Sequence, residues 1–454
     1  MKINMFCEWF HLIDNQTLND LEIFESAASE KCIFSFFDFS STIGGKEKLR
    51  SLFNHPQTDI QIIEERKNLI QYLLKYNKTI AFDKESLDFI EFYLRQNDKP
   101  NQPAAIDIIG VTSRFFFKNN QQQYLRQRGA QEVLKLIHLL YDFCSELIIE
   151  NAPELLKSLH NKVHGMIERQ ADIKRHNRIR PHTFKLFDLE KYDFIIRNSE
   201  VTEIKELLGI CYSLDAYLSV AKSARTYGLS FPVFNSSKER SIVIKGVFHL
   251  FVKQPIPNNI DFSTDKNVCF ITGVNMAGKS TLLKSIAISI YLAHLGFPVP
   301  AESMETSIFD GLITTINLSD NLNQGYSHFY NEVLRVKQVA QKVTTSKNMV
   351  VIFDELFRGT NVKDAYDASL SIITAFSQIR GSFFVISTHI VEVAKELNDN
   401  SNINFRFLET RIIDGKPMFT HELKEGITDE RMGMWIIENE GIMEILNNMT
   451  HCNK

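Results

Sequence analysis

The 454-residue chain lacks the features of a secreted, membrane-embedded or zinc-stabilised protein. Its six cysteines are scattered and form no C-x-x-C pair, which indicates reduced thiols in a cytosolic protein and no zinc site. The N-terminus turns polar too early for a signal peptide. The most apolar window, residues 286–300, contains His294 and is too short to span a bilayer. We therefore expect a soluble, cytoplasmic protein with no membrane partner.

The sequence also lacks an excess of positive charge. Its formal net charge is −4, so any contact with nucleic acid would need a local basic patch. Residues 174–182 (KRHNRIRPH) form one such segment. A solvated helix end is the alternative interpretation, because short charge runs usually lie on the surface. The weak candidates for phosphate contact are Lys174, Arg175, Arg178 and Arg180.

The two halves of the chain differ in texture. Residues 1–232 show long runs of helical periodicity, as in residues 134–149 and 201–224, and carry no catalytic motif, which is typical of an arm or lever. From residue 233, short apolar runs alternate with helical stretches, which is typical of an α/β sheet with helices on its faces. We predict an α+α/β protein with an all-α domain over residues 1–232 and an α/β domain over residues 233–454.

A phosphate-binding loop is predicted at residues 273–281, whose sequence GVNMAGKST satisfies G-x-x-x-x-G-K-[ST]. An apolar strand precedes it and an apolar helix follows, so backbone N–H groups and a helix N-terminus would surround one anion. An ordinary glycine-rich turn is the weaker alternative. Lys279 would contact the β- and γ-phosphates, and Ser280 would bind Mg²⁺. The other predicted ATP-binding residues of the loop are Gly273, Val274, Asn275, Met276, Ala277, Gly278 and Thr281.

Two further apolar strands end in polar pairs. Residues 349–353 lead into Asp354 and Glu355, and residues 383–387 lead into a T-H pair that ends at His389. Ligands of open α/β sheets bind at the carboxyl ends of the strands. We predict that Asp354 binds Mg²⁺ through its water shell, that Glu355 polarises the attacking water, and that His389 senses the γ-phosphate or orients that water. A solvated loop and a packed histidine are the alternatives.

Two other candidates are ambiguous from spacing alone. Ser327 lies just before an amphipathic stretch, so it either caps its own helix or meets the γ-phosphate of a neighbouring subunit's nucleotide. Asp364 follows the RGT sequence at residues 358–360 and is equally undecided by itself.

The order of these motifs is that of ATP-binding-cassette ATPases, and their amino-acid sequences resemble those of the MutS family of DNA mismatch-repair ATPases. Residues 273–281 look like the family's G-x-N-M-G-G-K-S-T, with Ala277 in place of a glycine. Residues 354–360 with Asp364 resemble its DE-x-x-RGT block, and residues 387–389 resemble its A-T-H switch. The resemblance covers most of the chain, because residues 42–66 resemble the start of the family's helical core.

The resemblance implies an ABC-type P-loop ATPase domain with a C-terminal helical dimerisation element, a helix-turn-helix from about residue 426, joined to a helical core and lever domain. It implies a homodimer in which ATP and Mg²⁺ lie between the P-loop of one subunit and Ser327 with Asp364 of the other. It also implies a DNA partner, either structured or mismatched duplex, and hydrolysis that moves the levers.

The departures from the family pattern concern what is recognised. Too few residues precede the part that resembles the core to form the family's mismatch-reading and connector domains, so we expect neither of these and no appended nuclease domain. Where the family has an aromatic residue that stacks on adenine, this chain has Ile256, a change expected to weaken the stacking of the adenine base. We therefore expect an ATPase acting in mismatch repair or in recombination-related recognition of DNA structure. The alternative is a regulatory ATPase acting on a protein or ribosome partner.

Overall fold

The computed structural model describes residues 13–26, 31–77, 79–96, 120–148, 151–169, 192–235, 237, 239–274, 276–316, 328–346, 348–413, 416–428, 439 and 441–442. Their helices are α1 (Asn15–Asp20), α2 (Ile33–Phe37), α3 (Ile43–Asn54), α4 (Ile60–Tyr76), α5 (Lys84–Leu94), α6 (Asn120–Leu147), α7 (Glu154–Arg169), α8 (Val201–Tyr227), α9 (Lys279–His294), α10 (His328–Thr345), α11 (Val362–Ser377) and α12 (Val391–Glu396), with a π-turn at Ile195–Ser199. None of these described helices carries an apolar stretch long enough to span a lipid bilayer.

The strands are β1 (Val233–Phe234), β2 (Ser241–Val247), β3 (Asn258–Ser263), β4 (Val268–Thr272), β5 (Ser303–Thr306), β6 (Gly311–Thr315), β7 (Met349–Asp354), β8 (Phe383–Ser387), β9 (Ile403–Ile413) and β10 (Lys416–Glu425). Long helices dominate the first half of the chain, and strands alternate with helices in the second. The predicted α+α/β class is therefore confirmed.

The chain packs as two compact units that interleave along the sequence. The sheet unit takes Met1–Phe36, Asn54–Ile63 and Tyr227–Lys454, and the helical unit takes Phe37–Phe53 and Glu64–Thr226. The first described residues thus pack with the strands, which the change of texture near residue 233 did not indicate. The domain division at residue 232 stays a prediction.

The helical unit is held together by buried polar contacts between distant helices as well as by apolar packing. Helix α6 packs against both α5 and α7. Tyr93 on α5 donates a 2.8 Å hydrogen bond to the buried Asp193, whose carboxylate also pairs with Arg197 at 2.7 Å. Buried charges that are paired and hydrogen-bonded in this way fix the relative positions of their helices.

The main sheet of the sheet unit has six strands in the order β10-β9-β4-β8-β7-β6. All are parallel except β10, which pairs antiparallel with β9 at one edge. The predicted strands at residues 268–272, 349–353 and 383–387 are β4, β7 and β8. Every residue of these three strands is buried, as expected for parallel strands covered on both faces. Their carboxyl ends meet at one edge of the sheet and position the site.

A smaller four-stranded sheet, in the order β1-β5-β2-β3, belongs to the same unit. The short helix α1 covers β6, the other edge strand of the main sheet. The Thr17 hydroxyl accepts from the Thr314 N–H at 3.0 Å, and the Asp20 carboxylate accepts from the Ile316 N–H at 2.9 Å. These contacts satisfy backbone groups that an uncovered edge strand would expose.

Candidate functional site

The loop between β4 and α9 uses backbone conformations that favour glycine. Gly273 has φ 147° and Gly278 has φ 102°, while Met276 adopts φ 75° without being glycine. Gly278 is the N-cap of α9, and a Cβ there would lie 3.1 Å from the His421 ring. The loop therefore bends tightly around the free N–H groups at the start of α9, an arrangement that attracts anions.

Lys279 is the first residue of α9, and its side chain folds back over this loop. Its Nζ donates to the carbonyl oxygens of Gly273 at 2.7 Å and Val274 at 3.2 Å. Burial lowers the pKa of Lys279, although the nearby carboxylates of Glu355 and Asp354 act in the opposite direction. The ammonium group is thus placed where it can exchange carbonyl oxygens for phosphate oxygens.

The carboxylate of Asp354, at the end of β7, lies against two hydroxyl groups. One oxygen accepts from Ser280 and the other accepts from Ser387 at 2.5 Å. The two predicted Mg²⁺ ligands are therefore in direct contact. The described residues contain no cluster of three or more His, Cys, Asp or Glu side chains that could hold a metal. A site of one carboxylate and one hydroxyl fits Mg²⁺, which keeps several waters and takes further oxygens from phosphate.

The Glu355 carboxylate lies beside this pair and contacts a guanidinium group and an imidazole ring. Arg358 Nε is 2.7 Å from Oε2, and His389 Nδ1 is 3.5 Å from the same oxygen. The hydrogen bond from His389 and the charge of Arg358 lower the pKa of Glu355, while burial raises it. The carboxylate is consequently ionised at neutral pH and able to accept a proton or a hydrogen bond from water.

Glu332, which was not identified from the sequence, holds the loop that follows Glu355. Its buried carboxylate, on α10, accepts from the N–H groups of Arg358 at 3.1 Å and Gly359 at 3.2 Å. Glu355 and Phe357 both have φ 61°, a left-handed conformation that costs a non-glycine residue about 1–3 kcal/mol. The only sequence signal for Glu332 is its position five residues after Ser327 in an amphipathic helix.

A cavity of about 280 Å³ adjoins the phosphate-binding loop. Its walls include Ile256, Met276 and His421. His421 lies at an irregularity of β10, and its Nδ1 donates to the Ala277 carbonyl oxygen at 2.8 Å. Asn258 fixes this irregularity by donating to the His421 carbonyl at 3.0 Å and accepting from the Leu423 N–H at 2.7 Å. His421 and Asn258 lack a recognisable motif and were not identified from sequence.

Not every predicted site residue lies in this cluster. Asp364 is exposed on the first turn of α11, where its carboxylate accepts from the Asn361 side chain at 2.6 Å and its N–H donates to the same side chain at 2.9 Å. The other predicted candidates lie outside the described residues. They are Asn275, Ser327, Lys174, Arg175, Arg178 and Arg180. Most of the predicted C-terminal helix-turn-helix, which begins at about residue 426, also lies outside the described residues.

Comparison with known proteins gives two family matches along the chain. The model of MutS domain III matches residues 16–343, and that of MutS domain V matches residues 269–452. Proteins named DNA mismatch repair protein MutS are similar in sequence. The one from Streptococcus thermophilus is 31% identical over 269 residues, which are 57% of this chain and 31% of the relative.

Two further relatives carry the same name. The protein from Petrotoga mobilis is 29% identical over 293 residues, 63% of this chain and 35% of the relative. The protein from Halalkalibacterium halodurans is 29% identical over 270 residues, 56% of this chain and 30% of the relative. The chain spans about a third of the length of these curated relatives. Because the domain III match alone extends over more than half of its residues, the chain belongs to the MutS family.

Proposed function

We propose that this protein is a Mg²⁺-dependent ATPase of the ABC type whose nucleotide binds at the loop between β4 and α9. One observation carries the proposal: side chains from three strand ends converge beside that loop. Asp354 contacts Ser280, and Glu355 contacts His389 and influences the pKa of Lys279. A cation, a metal-binding pair and an ionised base within one cluster are the components that phosphoryl transfer to water requires.

The cavity beside the loop supports a nucleotide over a bare phosphate. It adjoins Gly278 and Thr281, so a triphosphate on the loop would direct its base toward Ile256 and His421. Ile256 offers only an aliphatic contact where the family has an aromatic ring, and the His421 ring supplies an aromatic surface at the same cavity. The base would therefore be held by one ring and by apolar side chains.

In the proposed reaction the side chains of the cluster divide the work. Lys279 and the N–H groups of the loop and of α9 would bind the phosphate oxygens and the charge that develops on them. Ser280 and Asp354 would hold Mg²⁺, which supplies further charge neutralisation when bound. The ionised Glu355 would accept a hydrogen bond from the attacking water and orient it in line with the γ-phosphate, and His389 would hold Glu355 in place.

We further propose that two copies of this chain form the working enzyme. Ser327 and Asp364 of one subunit would contact the nucleotide of the other, and hydrolysis would move the helical unit on DNA. Family membership and the relatives' name, DNA mismatch repair protein MutS, support this assignment. The DNA would be branched or otherwise structured, and Lys174, Arg175, Arg178 and Arg180 are weak candidates for contacting it.

The test is steady-state ATP hydrolysis by the purified protein, alone and with homoduplex, mismatched, branched or single-stranded DNA, at low and moderate salt. The Glu355→Gln protein measures contaminating activity. We expect Glu355-dependent turnover that branched DNA stimulates and that salt weakens, because phosphate contacts release counterions.

Other results would change the proposal. Turnover that survives Glu355→Gln would refute the assignment of the site. Stimulation by a mismatch but not by branched DNA would mean that mispairs are sensed. Glu355-dependent turnover that is indifferent to every DNA would favour a regulatory ATPase acting on a protein or ribosome partner.

A further inference from the structure

A buried carboxylate on a neighbouring helix holds the backbone of the loop that carries Glu355. Glu332 on α10 is only 5% exposed, and its two oxygens accept from the N–H groups of Arg358 at 3.1 Å and Gly359 at 3.2 Å. Charged acceptors make stronger hydrogen bonds than neutral ones, especially where water is excluded. The loop is therefore tied to α10 at two consecutive peptide groups.

The loop needs such a restraint, because its backbone is strained. Glu355 and Phe357 both occupy the left-handed region at φ 61°. Helix α10 contacts the loop a second time through Phe329, whose ring lies 5.8 Å from the Phe357 ring in an edge-to-face arrangement. Strained residues persist only where surrounding contacts determine their conformation, and α10 supplies both of these contacts.

The restraint reaches the proposed base through Arg358. The backbone of Arg358 is held by Glu332, its Nε lies 2.7 Å from Glu355 Oε2, and its Nη2 donates to the Asp354 carbonyl at 3.1 Å. A shift of the Arg358 backbone would therefore move the guanidinium that positions the Glu355 carboxylate. This chain of contacts is continuous and uses no residue outside the sheet unit.

Helix α10 is itself fixed to the main sheet one turn beyond Glu332. The guanidinium of Arg335 donates to the Thr314 carbonyl at 2.7 Å and to the Thr315 hydroxyl at 3.1 Å, at the end of β6. It also pairs with Asp14 at 2.6 Å. The carboxylate of Glu332 is thus presented from a rigid support.

We propose that Glu332 is a positioning residue that sets the conformation of residues 355–359 and so aims the Glu355 carboxylate at the attacking water. The proposal rests on the ATPase function proposed above. It predicts that Glu332 contributes to the rate of hydrolysis and not to the affinity for nucleotide, since both of the hydrogen bonds described above go to the loop that carries the proposed base.

The test compares Glu332→Gln with Lys337→Ala, a change at an exposed position of the same helix. Glutamine keeps the shape but directs an NH₂ group at one of the two backbone N–H donors. We expect kcat for Mg-ATP to fall about 10- to 100-fold, as for other misplaced catalytic groups. The dissociation constant for Mg-ATP, measured with the Glu355→Gln background to prevent turnover, should stay within about threefold. Lys337→Ala should match the wild type in both measurements.

A double-mutant cycle separates positioning from a general structural effect. Arg358→Lys removes the Nε contact to Glu355 while keeping the backbone N–H on Glu332. If both residues act through Glu355, the losses in kcat will be strongly non-additive, and the double variant will resemble the worse single variant. Additive losses, or a fall in affinity with kcat retained, would overturn the proposal.

The controls also keep this proposal distinct from the proposed function. If the wild type shows no Glu355-dependent turnover, the ATPase assignment fails. If the wild type turns over and Glu332→Gln does so equally well, only the positioning role fails. The melting temperature of each variant shows whether it folds. If Glu332→Gln does not fold, Glu332→Asp takes its place with the same measurements, because aspartate keeps the buried charge but is one methylene shorter.

Discussion

The Glu355 carboxylate experiences opposing influences on its pKa. The hydrogen bond from His389 lowers it most, burial raises it, and the charge of Arg358 lowers it again. The net effect holds the pKa below the ordinary value of 4.5. A base with a depressed pKa stays ionised and active at lower pH, and its activity is lost only as the pH falls through the pKa of the folded protein.

We therefore predict that His389→Asn moves the acid limb of the pH–rate profile upward, because it removes the hydrogen bond that lowers the pKa of Glu355 most. Single-turnover hydrolysis measured from about pH 3 to 7.5 gives the midpoint, which is compared with wild type independently of the lower maximal rate. Circular dichroism at each pH checks that the protein remains folded. An unchanged midpoint would show that His389 does not tune Glu355.

His294 is a buried histidine whose two ring nitrogens are both occupied in the neutral form. Its Nδ1 donates to the Ile290 carbonyl at 2.9 Å, and its Nε2 accepts from the Phe309 N–H at 3.0 Å. Burial lowers the pKa of His294 to about 4 from 6.5. Protonation would place two donors against each other and bring a charge into the core. The neutral imidazole is thus a structural requirement.

This predicts a loss of stability on acidification. Because the pKa of His294 is lower in the folded protein than in the unfolded chain, its contribution to the free energy of unfolding is complete above about pH 6.5 and is lost as the pH falls toward 4. The loss amounts to about 3 kcal/mol at most. Urea unfolding of wild type and His294→Gln between about pH 8 and 5 measures it. The variant should show a smaller pH dependence, with the remaining slope partly from His249, whose pKa burial also lowers to about 4. The control His164→Gln, at a histidine that is only partly buried, should keep the wild-type slope.

At the scale of elements, helix α3 begins where Asp215 reaches it from α8. The Asp215 carboxylate accepts from the N–H of Ser41 at 3.0 Å, and from the N–H and hydroxyl of Thr42 at 2.9 and 2.7 Å. The helix start approaches so closely that a Cβ on Gly45 would clash with an Asp215 carboxylate oxygen. Glycine at residue 45 is therefore required by close approach and not by a turn.

We predict that Gly45→Ala destabilises the helical unit by about 2–4 kcal/mol, because the Asp215 carboxylate must retreat and leave buried donors unpaired. Gly209→Ala on α8 is the matched control, since a Cβ at Gly209 meets nothing within 4 Å. In a helix interior that change should be neutral or stabilising by up to about 1 kcal/mol. Denaturant unfolding followed by circular dichroism compares the two. Equal effects would show that the contact with Asp215 does not constrain the helix start.

The elements that could be predicted from sequence were those with a local signal. The apolar runs at β4, β7 and β8 were recognisable because both faces of each strand are buried. Since parallel strands end at the same edge of a sheet, the polar residues after these strands could then be predicted to lie together. Glu332, His421 and the docking of α1 on β6 could not be predicted. Each depends on contacts between residues far apart in sequence, and a single carboxylate or histidine in a helix or strand gives no pattern.

At the scale of the whole molecule, the proposed enzyme is a dimer in which a second copy of the chain would complete each site. The Asp364 carboxylate within one chain is already engaged by Asn361 on an exposed helix start. Because the Asp364 side chain lies on the surface of its own chain, a neighbouring subunit could reach it. A site divided between subunits predicts complementation between two different inactive variants, because a homodimer with two-fold symmetry contains two equivalent composite sites.

We predict that Ser327→Ala and Glu355→Gln are each inactive alone and recover activity when mixed. In a mixed dimer one site would combine an intact Glu355 with an intact Ser327 from the neighbour, and the other site would carry both changes. If half of the dimers are mixed, about a quarter of the wild-type activity should return. Mixing Glu355→Gln with Lys279→Ala provides the control, since both changes affect the same side of a site and no mixed dimer then has an intact one. Recovery in that control, or none in the first mixture once subunit exchange is verified, would mean that Ser327 does not act across a dimer.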